Sequence, residues 1–149
     1  MNLARYELEA GESLTTFEFI SEGNNGKIPK VISFAETSVD KMYNLAFGDK
    51  DAQTGEIDDR AISNNGDTEK VLATVISAVY AFTKDNPVAT VFATGSNVAR
   101  NRLYRMGISK YYDEAIKDFY IYGSTDGLRW VNFEKNVDYK AFLVKRIRV

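Results

Sequence analysis

The chain contains no histidine and no cysteine, and only two prolines, Pro29 and Pro87, in 149 residues. Without those two side chains, no Ser–His–Asp triad, Cys–His dyad, histidine-ligated haem or zinc cluster of the usual kinds can be built. Disulfide frameworks and thiol chemistry are excluded as well. A general base has to be Asp, Glu, Lys, Tyr or an ordered water. The phosphate cradles GxxxxGK[ST] and GxGxxG do not occur. No apolar run reaches the ~18 residues of a membrane span. The opening residues MNLARYELEAGESL hold no apolar core of signal-peptide length, so the expected location is the cytoplasm, with no membrane contact. No repeat, low-complexity stretch or linker interrupts the chain, and residues 1–149 are expected to form a single globular domain.

What remains is ordinary globular composition, 44% hydrophobic and 27% charged. The net charge of −2 conceals an asymmetry. Residues 100–110 (RNRLYRMGISK) and 139–149 (YKAFLVKRIRV) hold four cations each and no acid. Subtracting that +8 from −2 leaves −10 on the rest of the chain. Two solvated faces explain such runs; one cationic region results if the two segments meet.

Residues 15–21 (TTFEFIS) alternate with the period of a half-buried strand, Phe17 and Phe19 on one side. After the turn-rich SEGNNGK, residues 27–34 resume an extended pattern, with Pro29 expected at a strand start, an edge or a bulge. Residues 41–48 read as a third strand, and 56–62 as a fourth pairing back. From Asp67 onward, Leu72, Val75, Ile76, Val79 and Phe82 recur at helical spacing. Asp67 or Thr68 is the expected cap, Glu69 suits the positive helix end, and Asn86-Pro87 stops the helix. A short buried strand (89–94) leads through Gly-Ser-Asn into a second helix, 98–106, ended by Gly107. SKYYDEAIKDF reads as a short helix or turn, and residues 119–123 and 130–133 as a hairpin with Gly127 at positive φ. Residues 139–149 fit helix and strand patterns about equally, strand being preferred. The order strands, helix, strand, helix, strands predicts an α+β fold. Its sheet should be curved and largely antiparallel, with about six or seven strands, a long central helix and a second shorter one.

Two segments could carry a ligand. In GDKDAQTGEIDDR, Asp49, Asp51, Asp58 and Asp59 could surround a hard cation. The EF-hand pattern fails, with Thr54 where glycine is required and Arg60 at the glutamate position, and an acid-rich hairpin tip explains the same residues. In ATGSNVARNRLYRMGI, a strand ending at Gly95, Ser96 and Asn97 opens a helix, presenting backbone amides at its positive end. Arg100 could fold back onto a bound anion, whereas plain capping by Ser96 explains the turn without a ligand. Arg102 and Arg105 share a helix face, and Arg100 lies about 200° from Arg102. The arginines and nearby tyrosines could stack on single strands, but an acidic chain argues against a nucleic-acid partner.

The blocks NLAFGD, TGEIDD, NNGDTEKVLATV, GSNVARNRLYRMGI and DYKAFLVKR resemble, over nearly the whole chain, a bacterial family of small proteins known only as a domain of unknown function. That resemblance implies that Asp58, Asp59, Asn64, Asn65, Gly66, Asp67, Lys70, Gly95, Ser96, Arg100, Arg102 and Tyr104 belong to a recurring family pattern. The segment from Asn97 to Ile108 also resembles the NxxAxxLYxxxGF stretch of the GCN5-related acetyltransferases. It keeps Asn97, Leu103, Tyr104 and a glycine, Gly107, one position early. That resemblance implies a coenzyme A cofactor and makes Tyr104 the acid toward a departing thiolate. Its pyrophosphate loop would correspond to SNNGDTEK, where Asp67 and Glu69 oppose an anion. If Asp67 caps the helix, that cradle is filled; if it does not, the amides stand open.

The function expected from the residues is a non-catalytic binding or regulatory module. It would hold an anionic small molecule or an acidic protein on Gly95, Ser96, Asn97, Arg100 and Arg102, with no cofactor and no metal. The alternative is an acyl-coenzyme A-dependent N-acyltransferase-like protein. Nothing in the sequence selects a dimer over a monomer.

Overall fold

The computed structural model describes residues 4–11, 15–58, 64–95 and 97–148. In these, β1 (Glu9–Ala10), β2 (Thr16–Gly23), β3 (Gly26–Glu36), β4 (Met42–Lys50) and β5 (Ile57–Asp58) precede α1 (Thr68–Asp85). Next come β6 (Thr90–Ala93), α2 (Val98–Lys110), α3 (Tyr112–Asp118), β7 (Phe119–Ser124), β8 (Val131–Asn132) and β9 (Ala141–Arg146). The strands form one sheet in the order β1-β2-β3-β4-β6-β9-β7-β8, with β5 paired to β4 off that path. Each described pairing is antiparallel except β4 with β6, where Met42 to Leu45 run alongside Thr90 to Ala93. The fold is α+β, as the segregation of strands and helices predicts. Three of the nine strands are two-residue pieces: β1, which the sequence reading lacks, and β5 and β8, which fall within the expected 56–62 and 130–133.

Period-two alternation decides which sheet face is buried. Phe17, Ile32 and Phe47 stand opposite one another across β2, β3 and β4, and Phe34 faces Leu45 in the next row. All five are buried, and α1 lays its apolar stripe on them. Phe82 stacks on Phe34 at 4.2 Å between ring centroids, with Tyr43 edge-on to Phe82 at 5.0 Å. Burying such rings is worth about 1.5–3 kcal/mol each. Pro29 lies just before the stretch where β3 meets β4, which begins at Lys30, so its missing N–H leaves no ladder gap there.

One feature differs from the sequence reading. Gly107 does not end α2, which continues to Lys110. A Cβ at Gly107 would stand 3.0 Å from Leu72 Cδ2, so the glycine serves the crossing of α2 over α1. The segment left as helix or turn is a helix, α3. The strand preferred for residues 139–149 forms over Ala141–Arg146 and lies in the sheet's interior, between β6 and β7. The hairpin after β7 forms as expected, with Gly127 at φ 79°. No described helix is long and apolar enough to cross a membrane.

Candidate functional site

A parallel strand pair joined by a helix brings both strands' carboxyl ends to the same side, which is where ligands enter α/β units. Here β4 and β6 pair only as far as Leu45 and Ala93. Beyond that row β4 continues with β3 and β5, while the chain leaves β6 and turns into α2. The fork opens into a cavity of about 210 Å³. Among the described residues, its walls are Lys30 and Phe47 from the strands, Asn64 to Thr68 (without Gly66) and Val71 at the start of α1, and Asn97, Ala99, Arg100 and Leu103 at the start of α2. Two positive helix ends therefore face one space.

Two cations lie over the ring of Phe47. The Arg100 guanidinium lies 4.7 Å and the Lys30 ammonium 5.9 Å from its ring centroid. Lys30 is only 5% exposed, and a buried ammonium requires a partner. Asp49, directly opposite across the β3–β4 ladder, supplies one in a short salt bridge.

Asp67 occupies the N-cap position of α1, yet its side chain makes no capping hydrogen bond. Its carboxylate instead accepts from the Tyr6 hydroxyl at 2.6 Å and the Ser21 hydroxyl at 2.5 Å. Asn65 donates to Ser21 Oγ and to the Gly26 carbonyl, both at 3.0 Å, and accepts from the Asn25 amide at 2.6 Å. This net pins the loop before α1 to the β2–β3 hairpin. Burial, then the hydrogen bond to Asp67, raises the Tyr6 pKa above its ordinary value. The expected cap is thus corrected: the first-turn amides of α1 receive no side-chain cap from Asp67.

The second helix start is more self-contained. Asn97 is the cap, its Oδ1 accepting from the Arg100 amide at 2.8 Å. Gly95 donates its N–H to Asn101 Oδ1 at 2.7 Å, and Asn101 Nδ2 donates to the Lys140 carbonyl at 3.0 Å. A Cβ on Gly95 would come within 2.3 Å of the Asn101 nitrogen, so the first turn of α2 folds directly over it. Ser96 lies outside the described residues. Of the residues singled out from sequence, Asn97 and Arg100 line the cavity, Gly95 shapes the turn, and Arg102 is exposed and away from it. Tyr104 is buried and lines a second, almost wholly apolar cavity of about 90 Å³ beneath the helices.

The other candidates separate as well. Asp51 accepts from the Gln53 and Thr54 amides, which lower its pKa. Asp49 is engaged by Lys30, Asp58 faces Asp49 across β4–β5, and Asp59 lies outside the described residues. No group of three or more acids gathers among the described residues. Of the C-terminal cations, Lys140 lies beside the first turn of α2, its carbonyl accepting from Asn101. Arg146 turns inward, donating to the Tyr80 carbonyl at 3.0 Å and to Thr83 Oγ1 at 3.2 Å in the last turns of α1, where a cation favours the helix dipole.

Lys30, Tyr6 and Ser21 were missed as site residues. The signal for Lys30 was present: in Ile28, Lys30, Ile32, Phe34 it holds a position whose alternates are apolar. The partners of Asp67 had none, since they are separated from it by 46 and 61 residues. No curated protein and no solved structure matches the chain. A family model, Family of unknown function (DUF6934), matches residues 2–147, and the chain belongs to that family.

Proposed function

We propose that the protein binds an anionic small molecule, such as a phosphate ester or carboxylate, in the fork between β4 and β6. The observation that supports this is the joint opening of both helix starts into one cavity flanked by Arg100 and Lys30. Backbone amides at a helix start attract negative charge. A concave site of this size suits a small molecule better than an acidic protein surface. Titration with inorganic pyrophosphate, followed by amide chemical shifts, tests the reading. Thr68 to Lys70, Val98 and Ala99 are expected to move, and Arg100→Ala to weaken binding at least tenfold, with Arg102→Ala neutral. Unmoved amides at millimolar pyrophosphate, or equal losses in both variants, would overturn it.

A second reading, an acyl-coenzyme A-dependent N-acyltransferase, is favoured by one observation: Asp67 turns its carboxylate away from the amides it was positioned to cap. The pyrophosphate of coenzyme A would then lie at Thr68, with Arg100 beside it. Acetyl-coenzyme A binding without any acyl transfer to amines would leave the binding module as the better account.

A further inference from the structure

The apolar cavity and the charged one are built from successive residues of the same three elements. Along β4, Phe47 lines the charged cavity and Leu45 the apolar one, two residues or about 7 Å apart along a strand. Along α1 the walls pass from Val71 to Leu72, and along α2 from Leu103 to Tyr104. The walls of the second cavity are so apolar that water gains little there, and dry cavities of this kind accept hydrocarbon. Its volume of about 90 Å³ is room for roughly three water-sized groups.

We infer that the ligand is an amphiphilic anion. Its charged head lies at the helix starts, and its hydrocarbon tail runs along β4 beneath the α1–α2 crossing into the apolar cavity. This rests on the anion-binding reading above and adds the chemistry of the rest of the ligand. The charge distribution favours this polarity: Arg100, Lys30 and both helix starts line the polar cavity, where the Asp67 carboxylate is held by Tyr6 and Ser21, and the lining beyond Leu103 is hydrocarbon and aromatic.

The test is a calorimetric series of ethyl, hexyl and decyl phosphate, all below micelle formation. Each buried methylene contributes about fourfold in affinity. With room for about three methylenes, decyl phosphate is expected to bind on the order of 60-fold (about four cubed) more tightly than ethyl phosphate. Ala93 lines the apolar cavity alone, so Ala93→Leu should remove most of that gain and leave ethyl phosphate binding as it was. Should that variant fail to fold, the native series still decides. Equal affinity for ethyl and decyl phosphate would overturn the tail site while leaving the anion site standing. No binding of ethyl phosphate would overturn the anion site itself, and the inference with it. A chain-length gain that persists unchanged in Ala93→Leu would place the tail elsewhere and overturn the assignment.

Discussion

Each end of α1 is tied down by a tyrosine–aspartate hydrogen bond of 2.6 Å, Tyr6 to Asp67 at its start and Tyr80 to Asp118 near its end. The surroundings of the two pairs differ. Near the C-terminal end, Phe82 is sandwiched against Phe34 and Tyr43, and Arg146 covers the Tyr80 carbonyl. That end is held by packing, although Val79 and Tyr80 also line the apolar cavity. At the start, the pair draws a carboxylate away from the helix amides, and a charged cavity lies beside them. One helix thus carries a packed end and an open end, and similar hydrogen bonds serve stability at one and access at the other.

The largest effect is expected at the packed end. Phe82→Ala should cost about 3–5 kcal/mol in urea unfolding, because the stacked ring leaves a cavity that the sheet cannot collapse into. A loss near 1 kcal/mol would show that this end is not the anchor. At the open end, Asp67→Ala should cost less, about 1–2 kcal/mol, since it removes the shared acceptor of both hydroxyls but leaves Tyr6 bonded to Glu22 and Ser21 to Asn65. Asp67→Asn sharpens the comparison. An amide side chain is free to swing back and cap α1, so anion binding should fall even where stability is kept. Retained binding in Asp67→Asn would sink the idea that the diverted carboxylate keeps the cradle open.

The smallest effect concerns pH. Burial, followed by the bond to aspartate, raises the pKa of both Tyr6 and Tyr80. A raised value favours the protonated form in the folded state. Each pair's contribution is therefore complete below the ordinary tyrosine value of about 10 and is lost as pH climbs through the folded value. Phenolate absorbance should show two late-ionising tyrosines, one removed by Tyr6→Phe and one by Tyr80→Phe. Ionisation of all nine tyrosines together would contradict this.

The same contrast explains what the sequence could convey. The stripe from Leu72 to Phe82 was legible because packing repeats with the helical period, and the packed end of α1 lies where that period puts it. The fold class followed from the order of elements. The open end depends on partners far apart in the chain, Tyr6 and Ser21 with Asp67, Lys30 with Asp49, and no local pattern announces them. Gly107 misled for a related reason. A glycine at a helix crossing and a glycine at a helix end look alike until the second helix is in place. In the GSN turn, Asn97 and Asn101 engage the Arg100 and Gly95 amides, and of the described candidate residues Asn97 and Arg100 line the cavity.

The interior position of β9 also has a temporal meaning. Ala141–Arg146 is the latest strand in the chain, yet it alone joins β6 to β7. During synthesis at about 5–20 residues per second, the strands from β2 to β6 emerge well before it and can assemble early. Until β9 arrives, β6 and β7 each present a bare edge, the kind that recruits foreign strands. Nascent chains halted short of residue 141 should therefore be the species most dependent on chaperones.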